Sequence, residues 1–158
     1  MLMNVAAIGA AAALCWGLGT APAQATTTSM TYRTLENYAD LDECLDYRAD
    51  PEYGVYTTRC NGGAYQSWLM ATLIETPTEL RQNAASRLCL VARNGLPTMR
   101  ECSASDPAAV WIVHDIGASG YQVINNVTKT CLVAGSGDIH HVSLGTCGSG
   151  HSRQWFVH

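Results

Sequence analysis

The chain has 158 residues and a formal net charge of −4, from nine Lys and Arg against thirteen Asp and Glu. Its basic residues are spread along the sequence, which argues against nucleic acid or an anionic membrane as partner, since both require concentrated positive charge. Seven cysteines and a low charged fraction fit a compact, turn-rich domain from an oxidising compartment.

Residues 1–25 read as an export leader. Ala6 to Leu18 is almost wholly apolar, and Ala23-Gln24-Ala25 supplies the small-x-small pattern of a cleavage site. The run is too short to span a bilayer, so no membrane insertion is expected. No Lys or Arg precedes Arg33, so the usual positive start is missing. Leu14, not a small residue, precedes Cys15, which is therefore not read as a lipid-attachment site. Cleavage leaves residues 26–158 as a single secreted, extracellular domain with six cysteines, large enough to bury its own core.

Those cysteines recur with tryptophans in three sets: Cys44, Cys60 and Trp68; Cys89, Cys102 and Trp111; Cys131, Cys147 and Trp155. The tryptophans stand 43 and 44 residues apart and the leading cysteines 45 and 42, the mark of one supersecondary unit used three times. Pairing within repeats predicts the disulfides Cys44–Cys60, Cys89–Cys102 and Cys131–Cys147. No Cys-x-x-Cys occurs and the cysteines stand far apart in sequence, which disfavours zinc; no cofactor is expected. The repeats run over about 32–71, 72–114 and 120–158.

Within the repeats, short β-branched or aromatic runs such as Val55-Tyr56-Thr57-Thr58, Tyr121-Gln122-Val123-Ile124 and Val142-Ser143-Leu144 predict strands. Asn61-Gly62-Gly63, Arg93-Asn94-Gly95, Gly135-Ser136-Gly137 and Gly148-Ser149-Gly150 predict turns. Ala84 to Arg87 makes at most one helical turn, within an uneven loop from Leu73 to Arg87. Asn37, Asn83 and Asn125 precede the leading cysteines, and Leu45, Leu90 and Leu132 follow them directly. Three four-stranded units that converge on one axis predict an all-β β-trefoil, a six-strand barrel capped by three hairpins. A propeller is the competing architecture, but its blades normally number four or more.

The order Cys-Leu-Asp, Cys, Gln-x-Trp, complete here as Cys44-Leu45-Asp46, Cys60 and Gln66-Ser67-Trp68, resembles the signature of the ricin-type (R-type) β-trefoil lectins. The second repeat has Ala109 at the Gln position; the third has Arg153 there, with Gln154 one place later. The first repeat, through Val55-Tyr56-Thr57, Cys60-Asn61-Gly62-Gly63 and Tyr65-Gln66-Ser67-Trp68, is most similar to the actinohivin-like, mannose-binding branch. That resemblance implies a carbohydrate pocket at Asp46, Tyr56, Asn61 and Tyr65, supported by Gln66 and Trp68. Thr58, Arg59 and the charged loop from Tyr47 to Tyr53 depart from that branch.

These residue types suit a sugar. A carboxylate accepts two hydroxyl protons, an amide both donates and accepts, and tyrosines offer ring faces to C–H groups together with hydroxyls. Each also has an ordinary structural alternative: Asp46 as a turn cap, Asn61 as a turn former before two glycines, and the tyrosines as packing. The equivalent positions are Val91, Ser103 and Thr98 in the second repeat and Val133, Gly148 and Ser143 in the third. Replacing a carboxylate with valine removes the acceptor a sugar hydroxyl requires.

No Ser, His and acid set points to hydrolysis, so the chain is not read as an enzyme. His140 and His141 adjoin Asp138, but neighbours on a strand point opposite ways, which disfavours a metal site. His114 and His158 hold equivalent places and read as scaffold. Asn126-Val127-Thr128 is a glycosylation sequon where the host modifies such sites. The expected function is a secreted lectin that recognises a mannose-type or related glycan (a mannose-type or galactose-type sugar) through a single pocket in the first repeat, without catalysis. The alternative is a trefoil scaffold for a protein partner, as a protease inhibitor or a non-catalytic subunit of a toxin or enzyme.

Overall fold

The computed structural model describes residues 27–158. The expected leader at 1–25, with Cys15, lies outside them. The first repeat contains β1 (Met30–Arg33), β2 (Leu35–Asn37), β3 (Glu43–Arg48), β4 (Gly54–Arg59) and β5 (Trp68–Ala71). The second contains β6 (Thr78–Glu79), β7 (Arg81–Gln82), β8 (Leu88–Arg93), β9 (Leu96–Glu101) and β10 (Val110–Asp115). The third contains β11 (Tyr121–Asn125), β12 (Cys131–Val133), β13 (His140–His141), β14 (Ser143–Gly145) and β15 (Trp155–Val157). A single 3-10 turn precedes the tryptophan strand in every repeat, at Ala64–Gln66, Pro107–Ala109 and His151–Arg153.

The outer strands of the repeats close a barrel. β5 pairs with β1 through Trp68 and Arg33, and with β7 through Trp68 and Gln82. β10 pairs with β6 through Trp111 and Thr78, and with β11 through Trp111 and Asn125. β15 pairs with β11 through Trp155 and Tyr121, and with β2 through Trp155 and Asn37, which returns the ring to its start. The middle strands form the hairpins β3–β4, β8–β9 and β12–β14. This is the β-trefoil, and the segment expected as an uneven loop from Leu73 to Arg87 contains two of its barrel strands, β6 and β7.

The tryptophans make the barrel's inner layer because each lies on a barrel strand and faces the leucine that follows the leading cysteine. Trp68, Trp111 and Trp155 are 0 % exposed, as are Leu45, Leu90 and Leu132. A buried indole N–H needs an acceptor. Each finds it in its repeat's leucine carbonyl, at 3.0 Å from Trp68 to Leu45, 2.7 Å from Trp111 to Leu90 and 3.3 Å from Trp155 to Leu132. Burial of each ring contributes up to about 4–6 kcal/mol gross.

All three disulfides join the cysteines expected from the repeat, with Cα atoms 5.0, 4.9 and 5.1 Å apart. The Asn94-Gly95 turn between β8 and β9 takes φ of 52° and 76°, the positive pair that a two-residue hairpin demands. Gly120 has φ of 88°, and a Cβ there would stand 2.6 Å from the Trp155 carbonyl oxygen. Ala84–Arg87 forms turns rather than a helix.

One expected equivalence is corrected. Asn37 and Asn125 are fully buried and donate through Nδ2 to the carbonyls of Ser152 (3.2 Å) and Ala108 (2.9 Å), each three residues before a tryptophan. In the remaining repeat this bond comes from Gln82, whose Nε2 reaches the Tyr65 carbonyl at 2.7 Å, while Asn83 is exposed. Barrel register decides the matter, because Gln82, Asn125 and Asn37 are the residues directly opposite the tryptophans.

Three-fold equivalence breaks at β13. The chain between β12 and β14 leaves its own hairpin and pairs with β4 of the first repeat, His140 opposite Thr57 and His141 opposite Tyr56. The Val142 amide continues the ladder to the Val55 carbonyl at 3.0 Å.

Candidate functional site

Asp46 lies on β3 directly opposite Tyr56 on β4. The same cross-strand position holds Val91 and Thr98 in the second repeat and Val133 and Ser143 in the third. Only the first hairpin therefore sets a carboxylate against a phenol. An open cleft of about 910 Å³ lies beside it, lined by Asp46, Tyr56, Asn61 and Tyr65 together with Arg48, Asp50, Pro51 and Thr58. The four residues singled out in the sequence thus come together on one wall system, drawn from β3, β4, the turn after Cys60 and the 3-10 turn before Trp68.

Asp46 is 5 % exposed, and burial pushes its carboxyl above the usual carboxylate range, with the Tyr47 amide and the Gln66 side chain offsetting this in part. Among the described residues no Lys, Arg or His pairs with it. A buried acid without a cation is costly unless something hydroxylic completes its hydrogen bonds. Burial, followed by the charge of Asp46, holds the Tyr56 phenol above its ordinary value, so its hydroxyl stays protonated and able to donate. Tyr56 packs edge-on against Tyr53 with ring centroids 5.4 Å apart, and the Arg48 guanidinium covers the Tyr53 ring at 4.9 Å. Arg48 lines the cleft beside the four expected residues, and Tyr53, outside its lining, packs against both Arg48 and Tyr56.

Asn61 is a turn former: its Oδ1 accepts from the Gly63 amide at 2.7 Å and closes the turn, and the residue is exposed and lines the cleft. Tyr65 is exposed at the rim. Gln66, fully buried, accepts from the Asn61 amide at 2.8 Å and donates to the Arg59 carbonyl at 3.0 Å. It fastens the end of β4 to the turn that carries Asn61. Trp68 holds β3 through Leu45, one residue before Asp46.

The sequence reading missed Gln82. Its side chain is one methylene longer than Asn37 or Asn125, and Nε2 reaches the Tyr47 carbonyl at 3.2 Å as well as Tyr65. A second-repeat residue therefore ties together two sides of the first-repeat cleft. No signal in the sequence marked it, because its place opposite Trp68 is set by the barrel register.

The other repeats are furnished differently. A second cleft of about 600 Å³ is lined by Arg93, Ser103, Asp106 and Ala108, but there Arg93 and Asp106 pair with each other at 2.7 Å. Ala109 offers no side-chain amide where Gln66 stands. In the third repeat Arg153 takes over part of that role, its Nε donating to the Thr146 carbonyl at 2.8 Å, while Gln154 turns to the Ser149 carbonyl at 3.2 Å. His114 and His158 each meet a glutamate, Glu75 at 3.0 Å and Glu36 at 2.7 Å. Glu79 lies near Cys89 and Cys102, but those sulfurs are bonded to each other.

No protein-family model and no curated protein matches the chain. Solved structures do match in fold. The designed three-fold symmetric protein ThreeFoil superposes with a TM-score of 0.67 at 18% identity, over 80% of this chain and 96% of that one. A Polyporus squamosus lectin bound to a human-type influenza-binding epitope, Neu5Aca2-6Galb1-4GlcNAc, matches with a TM-score of 0.67 at 12% identity, over 84% of this chain and 50% of the lectin. A mosquitocidal holotoxin matches with a TM-score of 0.70 at 12% identity, over 83% of this chain and 17% of the toxin. The chain is a β-trefoil, a fold it shares with a lectin and with part of a toxin.

Proposed function

We propose that the protein is a non-catalytic, carbohydrate-binding protein of the ricin-type lectin kind, which holds a mannose-type or galactose-type sugar in the first-repeat cleft. The observation that carries this reading is Asp46: buried, without a cation, and at the wall of an open cleft beside a protonated phenol and the exposed Asn61. Asp46 accepts two neighbouring hydroxyls, Asn61 donates through Nδ2, and Tyr56 and Tyr65 cover a C–H face. The actinohivin-like pattern of the first repeat supports mannose as the sugar. Three disulfides and the leader-like first 25 residues support export.

A glycan array probed with residues 26–158 tests the reading. Binding to terminal mannose or galactose glycans is expected, and Asp46→Ala abolishes it while the disulfides and the near-ultraviolet signal of the tryptophans persist. A correctly disulfide-bonded protein that captures no glycan would sink the proposal and favour a protein partner.

A further inference from the structure

Next to the main cleft, and sharing Tyr56 and Thr58 with it, lies a smaller recess of about 160 Å³, lined also by Glu43, Asp138 and His140 among others. It lies below the range of about 300–1,000 Å³ usual for a self-sufficient small-molecule pocket. Its position gives it meaning. Tyr56 and Thr58 line both spaces, standing as a ridge between the cleft and the recess. The far wall belongs to the third repeat, through Asp138 and His140, and is held there by the β13–β4 ladder.

That wall is firmly placed. His140 Nδ1 meets Glu43 Oε2 at 2.6 Å, the Thr57 hydroxyl donates to the same oxygen at 2.9 Å, and His141 Nδ1 meets the Tyr53 carbonyl at 3.0 Å. With Nδ1 engaged, His140 keeps Nε2 for a ligand, and Glu43 keeps Oε1. Asp138 is exposed and makes no ion pair among the described residues. The recess is therefore rich in acceptors, with the Thr58 hydroxyl at its edge. That inventory suits a group presenting several hydroxyl protons.

We propose that the cleft and the recess form one site crossing the boundary between the first and third repeats, built for an oligosaccharide of at least two sugars. One sugar occupies the Asp46 cleft. Its linkage passes over the Tyr56–Thr58 ridge, and the next sugar bonds to Asp138, His140 and Thr58. The third repeat, without an acid at Val133, thus serves the first repeat's site. This inference rests on the carbohydrate-binding reading above and assigns the length of the glycan and the residues that read it.

Titration calorimetry on residues 26–158 with methyl α-mannoside, an α-linked mannobiose, methyl α-galactoside and a galactobiose separates the two proposals. The preferred disaccharide is expected to bind about 10-fold tighter than its monosaccharide, the gain of one or two net hydrogen bonds. Asp138→Ala and His140→Gln should each bring that ratio toward one. A wild-type ratio of one, or a ratio unchanged in both variants, overturns the two-sugar site and leaves the Asp46 pocket standing. No binding by any of the four sugars overturns the carbohydrate reading and this inference with it.

Discussion

Gln66→Ala is the perturbation that most directly probes how the cleft is held. The side chain is fully buried and bridges the Asn61 amide at 2.8 Å to the Arg59 carbonyl at 3.0 Å, with a marginal third contact to the Thr58 carbonyl at 3.5 Å. Two good bonds at about 1 kcal/mol net each, plus the penalty of groups left partly unpaired, give a loss of about 2–3 kcal/mol. For a domain of this size that lowers Tm by on the order of 10 °C. Because the lost bonds anchor the turn bearing Asn61, glycan affinity should fall even at temperatures where the protein remains folded. Differential scanning calorimetry and glycan titration at 15 °C read the two effects separately. A Tm within a degree or two of wild type would refute the reasoning, since it would mean that the turn is held without Gln66.

Asp46→Asn should abolish glycan binding while stabilising the fold at neutral pH, by roughly 0.5–2 kcal/mol, as functional groups held at a stability cost do when replaced. The sign follows from the raised carboxyl. Its stabilising contribution is full below the ordinary value of 3.8 and is lost as pH rises through the folded-state value, so ionised Asp46 burdens the native state. Chemical denaturation across pH 4–8 should show the wild-type stability deficit relative to Asp46→Asn growing with pH; a constant difference would contradict it. Gly120→Ala, with φ of 88° and a Cβ 2.6 Å from the Trp155 carbonyl oxygen, should cost about 2–4 kcal/mol, measured by urea unfolding. Replacing Cys44 and Cys60 together by serine should cost on the order of 3 kcal/mol and weaken sugar binding, whereas the same change at Cys89 and Cys102 should cost stability with less effect on binding.

Architecture was legible because it is carried by residues whose spacing survives in every repeat. Cysteine, leucine and tryptophan recur in register, and the barrel uses each copy in the same way. The family resemblance of the first repeat pointed to Asp46, Tyr56, Asn61 and Tyr65, and these four line one cleft. Alignment on cysteines failed at Asn83, because the buried amide is fixed by the strand opposite the tryptophan, and there a glutamine one residue earlier takes the place. Nothing local announced that β13 would join β4, since His140 and Thr57 are brought together only by the closed barrel. The stacking of Arg48 on Tyr53 was equally hidden, because it depends on the path of a loop rather than on periodicity.

Each disulfide is confined to a single repeat, so the cross-links stitch hairpins and leave the joins between repeats uncovered. A protease acting in the stretch 48–53 would produce a nicked chain still held together by Cys44–Cys60. One acting at the exposed Leu73, between β5 and β6, would produce two pieces joined only by the barrel ladder and core. Resistance to digestion is therefore set at the seams by how tightly the barrel stays shut, and a sugar that bridges the first and third repeats would close one of those seams from outside.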